Sequence, residues 1–183
     1  MPISTDLVGP RAEVLGRARA PVGISARTFL QSPPLTPREA ELSRYSANPR
    51  NRYGDWYQDY VKEQVDRESG RKCWRACEKA EARASMAGYE SPVYVSRKIP
   101  DLVVRDRAKE RYLGLELKYL RGTGSLVKPK VLIDAIDFTH RPIDCIYVVD
   151  GEGWMADKNV QYLERWWQFT DARHLGSTLD EYF

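Results

Sequence analysis

Residues 100–120 read PDLVVRDRAKERYLGLELKYL, two runs rich in branched and aromatic side chains joined by the mostly charged RAKER. Such runs pair side by side, because their side chains pack well on a pleated surface and the charged stretch lets the chain reverse. A third run, PVYVSRKI, ends where the first of these begins, at Pro100, so the sequence predicts a meander of three short antiparallel strands. Further along, IDCIYVVD (143–150) is apolar without alternation, the pattern of a strand covered on both faces.

The helices are predicted from periodicity and end signals. In LTPREAELSRY, Thr36 as N-cap, Pro37 at N1 and Glu39 reaching back fit a capping box and predict a short helix to about Tyr45. Tyr53, Trp56, Tyr57, Tyr60, Val61 and Val65 recur at three-and-four spacing, which predicts an amphipathic helix stopped by Ser69 and Gly70. Residues 71–87 read as a third helix, with Cys73, Ala76, Cys77, Ala80 and Ala84 on one narrow stripe. After the RGTG break, a helix is expected from near Pro129, and NVQYLERWWQF gives a last one, apolar enough for deep packing or a subunit contact. Helix, three strands, helix, strand and helix imply an α/β fold with a mixed central sheet flanked by helices.

A chain of 183 residues with 42% hydrophobic side chains supports one domain with its own core. Residues 1–34 mix Pro, Gly, Ser and Arg without a sustained period and read as a basic flexible arm, which leaves 35–183 as the single domain. The net charge of +3 conceals an asymmetry: residues 1–52 carry Arg11, Arg17, Arg19, Arg27, Arg38, Arg44, Arg50 and Arg52 against Asp6, Glu13, Glu39 and Glu41. That bias suits a polyanionic partner. With no long apolar run and no apolar core in MPISTDLVGPRAEVLGRARA, the expectation is a cytoplasmic protein without membrane contact. Cys73, Cys77 and Cys145 lack zinc-like pairing and read as reduced, buried thiols, while His140 and His174 stand apart and read as loop or structural residues.

Strand side chains alternate between faces, so Glu116 and Lys118 in LELK point one way while Leu115 and Leu117 point the other. If the preceding strand pairs antiparallel, Asp101 at its proline-led start lies beside Glu116, which gives two carboxylates within reach of one cation. An oxygen-only set with open water positions suits Mg²⁺. Lys118 would then face the attacking water and the scissile phosphate, where it can orient or help deprotonate the nucleophile and offset phosphate charge. The competing reading is a hairpin on which Glu116 and Lys118 form a same-face ion pair, worth under about 1 kcal/mol if exposed.

Pro100 and Asp101, followed by Glu116-Leu117-Lys118 on the next strand, resemble the PD-(D/E)XK nuclease superfamily, and the predicted element order is similar to its αβββαβ, restriction-endonuclease-like core over residues 55–167. The resemblance implies catalysis by Asp101, Glu116 and Lys118, with Asp101 and Glu116 holding Mg²⁺. The superfamily often adds an acid from the helix before the sheet, for which Glu63 is the favoured candidate over Glu78 and Glu81. Arg121, Lys128 and Lys130 follow the catalytic strand and read as DNA-phosphate contacts or as a solvated basic loop. The implied function is a Mg²⁺-dependent endonuclease acting on double-stranded DNA, resembling compact type II restriction enzymes and acting as a homodimer so that both strands are cut. The alternatives are a repair, phage or toxin nuclease of the same fold, or a non-cleaving nucleic-acid-binding or assembly subunit.

Overall fold

The computed structural model of the chain describes residues 23–67, 70–75, 100–106, 108, 111–122, 144–166 and 168–183. The predicted strand at 92–99, the predicted helix from near Pro129, Cys77, His140, Lys128 and Lys130 lie outside these residues. In chain order the elements are α1 (Ala26–Leu30), α2 (Glu39–Leu42), α3 (Pro49–Arg67), β1 (Arg71–Arg75), β2 (Leu102–Asp106), β3 (Tyr112–Tyr119) and β4 (Asp144–Asp150). A 3-10 turn (Glu152–Met155), α4 (Asp157–Trp166), β5 (Phe169–Thr170) and α5 (Leu175–Tyr182) complete them.

The strands form one mixed sheet in the order β1-β2-β3-β4-β5, antiparallel through β3 and parallel from β3 to β5. The hairpin expected from PDLVVRD and YLGLELKYL is the β2–β3 pair, with Leu102 opposite Leu115 and Val104 opposite Leu113. One face carries Leu102, Val104, Leu113, Leu115, Ile146 and Val148 against Trp56, Tyr57, Val61 and Val65 of α3 and Leu175 and Leu179 of α5. The other carries Val103, Cys145, Tyr147 and Val149 against Ala26 and Phe29 of α1, Trp154, and Val160 and Leu163 of α4. The α3 stripe is therefore the one its spacing predicts, and β4 is covered on both sides, as its unbroken apolar run requires. Burying each of these large side chains stabilises the fold by about 1.5–3 kcal/mol.

Three expectations need correction. Residues 71–75, read as the start of an alanine-rich helix, are strand β1, paired with β2 through Cys73 opposite Val104. The ladder supplies hydrogen bonds to a segment whose alternating Lys72, Cys73 and Trp74 already suit an edge strand, and that non-local pairing outweighs a helical stripe. The cap of α2 falls at Arg38 instead of Thr36, and Glu41 rather than Glu39 reaches back to accept the Arg38 N–H at 2.9 Å. Residues 23–34 are not a loose arm: Ser25 caps α1 by accepting from Thr28 N–H, Ile24 N–H donates to Phe169 O at 2.9 Å, and Phe29 is buried with its ring 6.1 Å from that of Phe169. Two elements not expected from the sequence, β5 and α5, follow α4.

Gly114 points to the face that carries Cys145 and has no room there for a side chain. A Cβ there would lie 2.6 Å from Cys145 Sγ and 3.0 Å from Pro100 Cγ. Gly114→Ala is expected to destabilise the fold by about 1–3 kcal/mol through overpacking, read by chemical denaturation. Adding Cys145→Ala should recover part of that loss, and an additive double variant would show that the strain lies elsewhere.

Candidate active site

The residues of the PD…ELK pattern come together on one face of the hairpin. Continuing the β2–β3 register one step past Leu102–Leu115 sets Asp101 beside Glu116, and Asp101 Oδ2 accepts the Leu117 N–H at 2.7 Å. Strand alternation puts Asp101, Glu116 and Lys118 on the face that also carries Val103, Tyr147 and Val149. Pro100 is buried behind them, against Gly114.

Burial sets the character of this group. Glu116 is only 1% exposed, and its Oε1 accepts from Lys118 Nζ in an ion pair whose lysine side chain is 17% exposed. The same-face pairing considered from sequence is thus present, but not on an exposed strand. A buried carboxylate and ammonium give up hydration that only good geometry offsets, and deleting one partner of such a pair costs about 3–5 kcal/mol. The backbone beneath Lys118 is held as well, since its carbonyl accepts from Trp154 Nε1–H at 2.9 Å.

Glu63 does not join this group. It is 69% exposed on α3, 3.5 Å from Arg67, while α3 packs on the opposite face of the sheet. The geometry follows from helical period: Glu63 is two residues from both Val61 and Val65, about 200° around the helix from the buried stripe. Arg121 is exposed just beyond β3, its guanidinium 5.0 Å from the centroid of the Tyr53 ring. Among the described residues, no group of three or more His, Cys, Asp or Glu side chains is arranged to hold a metal ion. Asp101 and Glu116 are thus the two carboxylates that the described residues offer a cation at this point.

A second polar cluster, which the sequence reading did not anticipate, lies under α3 and α5 at the ends of β4 and β5. Buried Asp150 accepts from Tyr57 O–H at 2.7 Å and from Ala172 N–H at 3.0 Å, both at Oδ2. Buried Asp171 accepts the His174 N–H at 2.8 Å and lies 2.8 Å from His174 Nδ1. The one signal in the sequence was an acid closing an otherwise apolar strand. Cys73 and Cys145 are buried, and burial pushes the Cys73 thiol up to about 12.

Burial raises the Asp150 carboxyl to about 6, against the opposing pull of its Tyr57 and Ala172 hydrogen bonds. The unfolded chain releases this proton near pH 4, so between about 4 and 6 only the native state retains it and stability falls as pH rises. Asp150→Asn keeps an oxygen able to accept both bonds and removes the titration. It should flatten the stability profile between pH 4 and 6 in denaturant titrations and raise stability at pH 7.5 relative to the parent; an unchanged slope would assign the pH dependence to other groups.

Among the described residues, no helix is long and apolar enough to cross a membrane. No protein-family model matches the chain, and neither does any curated protein or solved structure.

Proposed function

We propose that the chain is a Mg²⁺-dependent DNA endonuclease with a PD-(D/E)XK site on a restriction-endonuclease-like core, most closely akin in type to the compact type II restriction enzymes. The observation that carries the reading is the Glu116 carboxylate, 1% exposed on a core-flanked strand, with Lys118 two residues on and Asp101 beside it across the hairpin. A hairpin held together by apolar packing gains little from burying such charges, whereas phosphodiester cleavage needs acids and a cation at one point. The order α3, β1, β2, β3 and β4 fits the αβββαβ core that the resemblance implies, with 71–75 in place of the expected 92–99 as first strand and the helix expected between β3 and β4 outside the described residues.

The donor set fits the metal. Two carboxylates at adjoining ladder positions are hard oxygen ligands that leave room for water and phosphate oxygens, as Mg²⁺ prefers. When bound, the ion supplies positive charge at the phosphate and makes water a better nucleophile at neutral pH. The chain's own residues do the rest. Asp101 is oriented by the Leu117 N–H, Glu116 is fixed by burial, and Lys118 exchanges its Glu116 contact for the phosphate and the attacking water, offsetting developing charge. A homodimer belongs to this proposal, since one site per chain cuts two strands most simply about a twofold axis.

The Lys118–Glu116 ion pair also fits a second reading, a nucleic-acid-binding subunit that keeps the fold and does not cut. Incubating supercoiled plasmid with purified protein in Mg²⁺, with Ca²⁺ and EDTA as controls, separates the two. Nicked or linear product only with Mg²⁺ supports the enzyme; intact plasmid across a range of sequences supports the binding subunit.

A further inference from the structure

We propose that Arg121 is a phosphate-binding residue at the end of β3 and that Tyr53 of α3 is its positioning residue. The proposal rests on the DNA-cleaving reading for the identity of the phosphate, and on separate geometry for the residues.

An exposed arginine ordinarily samples many rotamers, and fixing them opposes binding. Arg121 is fixed from two directions. Its guanidinium lies over Tyr53, and Tyr53 is in turn stacked on Tyr119, with centroids 5.8 Å apart and an interplanar angle of 9°. Tyr119 is anchored by donating to Leu35 O at 3.0 Å and by the edge-on Trp56 ring at 5.5 Å. The backbone on either side is clamped as well. Leu120 N–H donates to Asp150 O and Gly153 N–H to Leu120 O, both at 2.9 Å. Gly153 lies so close that a Cβ there would meet Gly122 O at 2.2 Å.

This arrangement has no evident structural purpose at the tip of the side chain. Arg121 is exposed, and among the described residues no carboxylate forms an ion pair with it. A planar fork held on an aromatic face keeps its N–H edges free for an anion, and a phosphate accepts two of them at once. Arg121 is three residues after Lys118, at most about 11 Å along the chain, a span of roughly three phosphates in the rise of one DNA strand. Lys118 lies on the face that carries Val103 and Tyr147, whereas Arg121 sits over α3 on the opposite side, so the phosphate that Arg121 holds lies beyond the end of the sheet and is not the scissile one.

Anisotropy of a fluorescent DNA duplex in EDTA, over a series of salt concentrations, tests the assignment without cleavage. Arg121→Ala should weaken binding about tenfold and reduce the logarithmic salt slope by about 0.9, the value for one lost phosphate contact. Tyr53→Leu should weaken binding by a similar factor, Tyr53→Phe should bind as the parent does, and the Tyr53→Leu/Arg121→Ala double variant should be no weaker than Arg121→Ala alone. Additive losses would make Tyr53 a packing residue and overturn its positioning role. Parental affinity and slope for Arg121→Ala would overturn the phosphate assignment while leaving the nuclease reading intact. A parent chain that binds no duplex overturns both, whereas binding with the predicted coupling but no Mg²⁺-dependent cleavage overturns only the nuclease reading.

Discussion

Asp101→Asn and Glu116→Gln are each expected to abolish Mg²⁺-dependent plasmid cleavage, with losses of about 10³-fold or more, the scale of several kcal/mol of transition-state stabilisation. Both substitutions keep the shape of the side chain. Asparagine at 101 still presents an oxygen to the Leu117 N–H, and glutamine at 116 still presents one to Lys118. What they remove is negative charge at the point where a divalent ion would sit, so metal binding fails; Glu116→Gln also leaves the Lys118 ammonium without its counter-charge and should cost stability, so cleavage is compared on preparations shown to be folded. Duplex binding in EDTA should be retained or strengthened, because each variant removes a carboxylate that repels phosphate. Parental cleavage rates in either folded, purified variant would remove the site assignment.

Lys118→Met should produce two separable effects. Cleavage should slow by roughly 10²-fold or more, as when one well-placed electrostatic or proton-transfer group is lost. Stability should fall too, by about 3 kcal/mol, because Glu116 is left buried without that ammonium; in a chain of this size the melting temperature should drop by roughly 6–12 °C. A melting change alone therefore does not distinguish an enzyme from an ion-paired hairpin. The Glu116→Gln/Lys118→Met double variant does. Removing both charges should restore much of the lost stability, since no unpaired charge remains buried, yet cleavage should stay abolished. Single-turnover rates and denaturation measured on the same preparations read both quantities, and a single Lys118→Met variant cutting at the parental rate would leave the lysine a purely structural role.

The sequence by itself determined those features that local pattern controls. Alternation in YLGLELKYL placed Glu116 and Lys118 on one face, and the two β-rich runs separated by RAKER announced a hairpin, whose observed register, with Leu102 opposite Leu115, carries Asp101 to Glu116. The spacing of Trp56, Tyr57, Val61 and Val65 defined the buried stripe of α3, and the unbroken run in β4 announced a strand covered on both faces. Tertiary structure decided the rest, because partners distant in sequence settled the outcome. Residues 71–75 become a strand since β2 offers them a ladder, and residues 23–30 are ordered since Phe169 and α4 offer them a surface. Glu63 is directed to solvent by the face α3 must bury, although its neighbours in sequence are core residues. Burial of the Glu116–Lys118 pair, the raised carboxyl of Asp150 under Tyr57, and the stacking of Arg121 on Tyr53 all depend on which helix covers which strand. Periodicity specifies the face on which a charge lies; only packing specifies how much water that face retains, and with it what the charge can do.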